Sequence, residues 1–301
     1  MYFAVADINL NPVTPFLIGL AVSVVSSPAG VSGGFLILPI CLNLLGFSSP
    51  AVSPTNFIFN AVAMPPGIWR LHREKRLMWR LGGLIMLGCL PGIFAGTVLR
   101  CTLLREAADF KIFVALVLAA LALSLIRTLV RGGSRASQAE RKFAGSPRCD
   151  QDSGLNCTIS GRQLGYDFAG EHFSVSLPLL TVVCLVTGLI GGIYGIGGAA
   201  IIAPLLVGAF QMPIYVAAGA SLLAGWASAL FGLLSYTVFW PLVSGEPAIS
   251  PDLPLGLLFG LGGMVGVYTG SALQRYLPAT PIKIVMIALI LFMAAENFGW
   301  F

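Results

Sequence analysis

Apolar runs recur along the chain at about 14–46, 50–69, 79–99, 107–130, 174–210, 213–240, 253–274 and 281–298, parted by short polar turns and one long polar stretch. A helix rises about 1.5 Å per residue and the hydrocarbon core of a bilayer is about 30 Å thick, so runs of roughly 20 apolar residues have the length of a crossing helix. The eight runs fall into two sets of four, and the pattern predicts an all-α polytopic membrane protein. The polar stretch, 131–173, is rich in Gly, Ser and charge, and reads as a linker or disordered loop rather than a domain. It joins a first membrane repeat, 14–130, to a second, 174–298.

The two sets repeat each other. Ser26 to Pro39 reads SSPAGVSGGFLILP and Gly191 to Pro204 reads GGIYGIGGAAIIAP, which at an offset of 165 aligns Gly30 with Gly195, Gly33 with Gly198 and Pro39 with Pro204. Further on, Gly88, Gly92, Gly96 and Leu99 match Gly262, Gly266, Gly270 and Leu273 at an offset of 174, and Lys111-Ile112 matches Lys283-Ile284 at 172. Duplication with a glycine-interrupted apolar segment in each half points to a secondary transporter and to the place of its binding site.

The first run of each repeat is too long for one helix: its 33 residues would reach roughly 50 Å. The glycines and Pro28 break it, leaving helical pieces near 15–26 and 33–45. Each broken run is either a crossing helix with an unwound centre or a re-entrant hairpin, which is tolerated where protein or a water-filled cavity covers the backbone. Charge arbitrates. With Arg70, Arg73, Lys75, Arg76 and Arg80 in the cytoplasm, the linker is cytoplasmic under either arrangement. A hairpin then places the acidic connection 241–252 (Glu246, Asp252) outside and Arg275 with Lys283 inside, and a crossing reverses both. The positive-inside rule favours hairpins, hence an inverted pair of repeats, each a glycine-broken, re-entrant segment followed by three transmembrane helices. Arg100, Arg105 and Lys111 fall outside in both arrangements, against the rule.

Composition supports lipid as the solvent: 57% of residues are hydrophobic and 10% charged, with a mean hydropathy of +0.90, where a soluble domain carries about 25% charge. The net charge of +5 lies in loops with no basic stripe interleaved with aromatics, so no nucleic-acid partner is expected. The segment 1–12 has no cationic region and does not read as a cleaved signal peptide. The multi-pass chain is assigned to a bacterial cytoplasmic (inner) membrane, and whether copies associate as a homo-oligomer stays open. Six scattered cysteines and two histidines, His72 and His172, offer no metal site, and no cofactor is expected.

If both hairpins reach the midplane, their second pieces start there, at Ser32-Gly33-Gly34 and Gly197-Gly198-Ala199, and two helix N-termini face one cavity. Each carries a partial charge of about +0.5, which attracts a small anion, and glycine allows close approach. The same glycines would also serve plain helix packing. The candidate anion-binding residues are Ser27, Gly30, Ser32, Gly33, Gly34, Tyr194, Gly195, Gly197 and Gly198 at the breaks, with Thr55, Asn56 and Asn60 from the SPTNFIFN segment and Ser221 from the matching AGASLLAG. Hydroxyls here either bind oxyanion oxygens or bond their own backbone, whereas an amide buried in lipid needs a partner. No Asp or Glu sits at the centre of any run, so a carboxylate proton relay has no candidate.

SPAGVSGGFLILP (27–39) with the SPTN segment, and GGIYGIGGAAIIAP (191–204) with AGASLLAG, resemble the sulfite exporter TauE/SafE family of membrane permeases. The resemblance covers both repeats and leaves out the linker. It implies transport of sulfite, an organosulfonate or another sulfur oxyanion, with Gly30, Gly33, Pro39, Gly195, Gly197, Gly198 and Pro204 at the family's glycine-rich breaks. The first repeat departs from the pattern at Ser32 and Pro28. An intramembrane enzyme lacks an Asp pair, a His-containing metal motif or a Ser/His couple, and a metal-cation carrier lacks ligands. A membrane scaffold or assembly protein without transport, docking through 131–173, is the alternative from another class.

Overall fold

The computed structural model describes residues 1–29, 33–47, 49–74, 77–130, 157–168, 171–208, 210, 212–273 and the single positions 284, 287, 288 and 291. The run 281–298 as a helix, Lys75, Arg76, Arg275, Lys283, linker residues 131–156, and Gly30 and Ser32 at the first break lie outside the described residues.

The chain is mostly helical. A short hairpin, β1 (Tyr2–Phe3) and β2 (Ile8–Asn9), leads into α1 (Val13–Ser26), which tightens into a 3₁₀ turn at Ser27–Ala29. Beyond the first break come α2 (Gly34–Pro39) and wider π-type turns over Ile40–Leu44. Then follow α3 (Val52–Ala63), α4 (Pro65–Arg73), α5 (Trp79–Thr102) and α6 (Ala107–Val130). The second half has α7 (Leu177–Tyr194), α8 (Ala199–Gly208), α9 (Ile214–Leu234), α10 (Trp240–Ser244) and α11 (Leu253–Leu273). Among the described residues, four stretches are long and apolar enough to cross a membrane: Trp79–Thr102, Leu177–Tyr194, Val216–Ser244 and Leu253–Leu273. By contrast α1, with 14 residues, spans about 21 Å, short of a 30 Å hydrocarbon core. Leu87, Val182, Leu257 and Leu261 turn outward from these helices, as lipid-facing side chains do.

Two glycine seams hold the bundle. On α11, Gly262, Gly266 and Gly270 lie against the carbonyls of Phe16, Leu20 and Val24 on α1; on α5, Gly92 and Gly96 lie against those of Leu185 and Leu189 on α7. A Cβ at any of them would overlap the facing backbone, so the helices touch main chain to main chain, the small-xxx-small packing of membrane helices. The register fixes directions. Contacts rise together along α1 and α11, and along α5 and α7. On α11, Gly256, Gly260 and Gly263 meet Ile58, Val62 and Ala63, so α3 is parallel to α11 as well. Gly82 meets Leu223 and Phe94 meets the ring of Phe239, in the π-type turns Ser235–Phe239 that continue α9, at 6.3 Å, making α5 and α9 parallel. Between α3 and α9 the order runs backwards: Phe57 lies 6.1 Å from Tyr236, Ala61 accepts from Trp226 Nε1 at 3.1 Å, and Gly67 in α4 approaches Leu222. Thus α1, α3 and α11 run one way, and α5, α7 and α9 the other.

The all-α, linker-only expectation needs one correction. Three antiparallel strands, β3 (Cys157–Ser160), β4 (Gln163–Phe168) and β5 (Glu171–Ser176), occupy the end of the 131–173 stretch. Ser160 pairs with Gln163 across a two-residue turn in which Gly161 adopts φ 57, a conformation glycine takes without strain. Leu164, Tyr166 and Val175 point to one face, and Tyr166 stacks on its partner Phe173 at 5.4 Å. That face joins the apolar cluster containing Met78, Leu180 and Met212, so the sheet seals the end of the bundle where α5, α7 and α9 begin. Burial pushes the ionisation of the Tyr166 phenol up. Polar composition concealed this alternation of period two.

The opposite end is closed by the N-terminal hairpin. Asp252 accepts Leu255 N–H at 3.1 Å as the cap of α11, while its other oxygen accepts from Val5 at 3.2 Å and Ala6 at 3.1 Å. It is buried, but its carboxylate is fully employed by backbone donors.

Candidate functional site

At the second break the backbone turns through left-handed glycines. Gly195 has φ 84, Gly197 φ 68 and Gly198 φ 76. Gly195 and Ile196 both donate to the Gly191 carbonyl, at 2.9 and 3.0 Å, which winds up the end of α7 before α8 starts. The turn is wedged between α3 and α9. A Cβ on Gly195 would stand 2.8 Å from Ser53 Cα, and one on Gly197 would stand 3.0 Å from the Gly225 carbonyl and from Ser228 Cβ.

The first break is built differently. Gly33 keeps an ordinary helical φ of −64, and what it lacks is room: a Cβ would meet Val22 at 2.8 Å, Ser23 Oγ at 3.2 Å and Phe59 at 3.3 Å. Gly34 lies directly under an amide, its Cβ position 2.6 Å from Asn60 Nδ2.

Two asparagines one turn apart on α3 bring the breaks together. Asn56 Nδ2 donates to the Gly34 carbonyl at 2.9 Å; Asn60 Nδ2 donates to Asn56 O at 3.0 Å and reaches the Gly195 carbonyl at 3.4 Å. Two further ties cross the same region. Ser53 Oγ donates to the Ile193 carbonyl at 3.1 Å, and Tyr194 OH to the Phe35 carbonyl at 2.8 Å. The second follows from Pro39, which stands where an N–H would otherwise serve the Phe35 carbonyl four residues earlier; the tyrosine hydroxyl takes its place.

Polar capacity remains after these ties. The Oδ1 atoms of Asn56 and Asn60, and the hydroxyls of Ser23, Ser26, Ser27, Ser221, Ser228 and Ser271, are buried without a hydrogen-bond partner among the described residues. Ser23 flanks the first break and Ser228 the second. Eight unsatisfied polar groups would be costly in a dry protein, whereas a polar ligand or water would satisfy them.

Of the residues expected from the sequence, Gly33, Gly34, Asn56, Asn60, Tyr194 and Gly195 meet around α3, and Gly197 packs against α9. Gly198 faces the Thr187 carbonyl of α7, 3.2 Å from its Cβ position, and Ser27 lies on Gly270 of α11. Ser221 is buried on α9. Thr55 is elsewhere engaged: its hydroxyl donates to Ala51 O at 2.7 Å and accepts from Asp252 N–H at 2.9 Å. Tyr194 reaches the site with its hydroxyl committed to Phe35. Ser23 and Ser228 were missed. Ser23 carried a signal, standing one turn beyond Gly19, which packs against the Phe259 backbone on the seam with α11.

The model of the family described as sulfite exporter TauE/SafE matches residues 15–296. No curated protein and no solved structure matches the chain.

Proposed function

Because the chain belongs to the sulfite exporter TauE/SafE family, whose members are membrane permeases for sulfur-containing anions, we propose that it carries sulfite, an organosulfonate or a related sulfur oxyanion through the point where its two glycine breaks meet. The observation that carries this reading is the position of Asn60, whose amide lies on Gly34 of one break and reaches Gly195 of the other. A ligand held there touches both halves of the molecule at once, as a substrate must if the halves are to rock around it.

The donors are neutral. Serine hydroxyls and the starts of α2 and α8 would stabilise the charged oxygens by dipoles rather than by a fixed counter-ion. The two free amide oxygens of Asn56 and Asn60 only accept, so they suit a protonated oxygen of the anion or a water that travels with it. Binding of this kind is selective yet releasable.

The repeats are inverted and their first segments re-entrant in this reading. Support comes from helix direction: α1 and α3 run the same way, so the chain between them returns to the side it came from, and α7 and α9 repeat this in the opposite sense. The two seams are exchanged by the same offsets that align the halves, α1 with α7 and α5 with α11. Arg70, Arg73 and Arg80, with the linker and its sheet, then face the cytoplasm of a bacterial inner membrane.

Counterflow tests the substrate. Proteoliposomes preloaded with sulfite, thiosulfate, sulfoacetate or a small carboxylate are exposed to labelled sulfite. Accumulation driven by the sulfur oxyanions and absent with the carboxylate is expected; equal accumulation with all four, or none, would refute the assignment.

A further inference from the structure

Arg100 sits in the last turn of α5 with 0% of its surface exposed. Its Nη1 donates to the Leu104 carbonyl, and its guanidinium stacks on Phe110, Cζ 3.7 Å from the ring centroid. These contacts use one corner of the group. Nε and Nη2, the adjacent donors along one edge, are buried with no partner, and no carboxylate among the described residues pairs with Arg100. Glu246 is engaged with Arg105 and Asp252 with backbone N–H groups, while Glu106 and Asp109, beside Phe110 in the chain, are exposed.

A guanidinium keeps its proton, so an unpaired one in a protein interior carries the cost of desolvation uncompensated. The free edge has the geometry that accepts two oxygens of one oxyanion side by side. Its place in the fold is informative. Gly96, one turn earlier on the same face of α5, lies against Gly192 and Ile193 at the tip of α7, 3.0 and 2.9 Å from its Cβ position. Tyr236 donates to the Gly192 carbonyl at 3.0 Å. Arg100 thus continues the line of Gly92 and Gly96, on the face of α5 that runs along α7 towards the second break.

We infer that the Nε/Nη2 edge of Arg100 is an oxyanion subsite of the permeation route, holding two oxygens of the sulfur anion as it enters or leaves the second break. This rests on the permease reading and adds a fixed positive charge that the Asn56–Asn60 region lacks. It also accounts for a buried cation near the end of a membrane helix, where a charge with no role would be costly.

The test uses purified full-length protein with Arg100→Lys, which keeps the charge and loses the fork, and Arg100→Gln, which loses both. Thermal stabilisation by added sulfite or thiosulfate is measured in detergent, and KM in proteoliposomes. Loss of a bidentate, charge-assisted pair predicts about a 10-fold rise in apparent KM for Arg100→Lys and about 100-fold for Arg100→Gln, with the midpoint of anion stabilisation moving in parallel. Wild-type KM and midpoint in both variants would overturn the subsite. If Arg100→Gln fails to fold, Arg100→Lys alone decides, since a structural cation would leave its KM unchanged. Wild-type protein that binds sulfite in an Arg100-dependent way yet moves no anion would instead defeat the permease reading and leave the subsite standing.

Discussion

Gly195→Ala isolates what the second break requires. Gly195 and Gly245 both have left-handed backbones, φ 84 and φ 69, and alanine in that conformation costs about 1–2 kcal/mol. There the likeness ends. A Cβ on Gly245 meets no described atom within 4 Å, whereas one on Gly195 would stand 2.8 Å from Ser53 Cα, and ordinary contact begins at 3.4 Å. The Ser53 carbonyl oxygen lies closer still, so the start of α3 would have to retreat by more than roughly 0.6 Å, an overpacking that adds about 1–3 kcal/mol. Gly245→Ala should thus lose about 1–2 kcal/mol and transport normally, while Gly195→Ala should lose about 2–5 kcal/mol in all. Because the retreat pulls Asn60 away from the Gly195 carbonyl, flux should also fall about tenfold, the equivalent of one hydrogen bond. Both variants are compared by thermal unfolding in detergent and by initial rates in proteoliposomes. If they are equally stable and equally active, the contact between the break and α3 has no energetic weight and the reasoning fails.

Other consequences can be checked one by one. Tyr194→Phe orphans the buried Phe35 carbonyl and should cost about 1–3 kcal/mol; in a Pro39→Ala background, which restores the missing N–H, most of that cost should vanish in a double-mutant cycle. Asp252→Ala frees three backbone donors and should lower stability by at least about 1–2 kcal/mol and expose the N-terminal hairpin to protease, while Asp252→Asn, still able to cap, should lose less. In a cysteine-free background, Asn11→Cys and Gly46→Cys should react with an impermeant maleimide from one side of the membrane and Arg73→Cys from the other; labelling of Asn11→Cys and Gly46→Cys from opposite sides would make the first segment a crossing helix.

Much of this architecture was written in glycine. The triples Gly88-Gly92-Gly96 and Gly262-Gly266-Gly270 were visible as a repeat, and Gly92, Gly96 and the second triple form the seams, because only the absence of a side chain lets two helix backbones touch. The helical pieces on either side of the first break were legible from the length of the run together with its glycines and Pro28. Other features depended on tertiary partners that a linear reading does not supply. Tyr194 is taken up by a carbonyl that Pro39, 155 residues away in the chain, leaves open. Thr55 belongs to the cap of α11. Arg100 was grouped with Arg105 and Lys111 as one more charge near a loop, although its spacing from Gly92 and Gly96 already placed it on the buried face of α5. The sheet in the linker was hidden by composition: a window dominated by Gly, Ser and charge masked the alternation of Leu164, Tyr166, Phe173 and Val175.

The central claim, that a sulfur oxyanion passes where Asn60 joins the two breaks, is tested most directly by labelled-sulfite counterflow through Asn60→Ala in proteoliposomes, at matched amounts of folded protein. The account predicts a rate at least about tenfold below wild type with helical content retained. Counterflow at the wild-type rate would place the route of the anion elsewhere and contradict it.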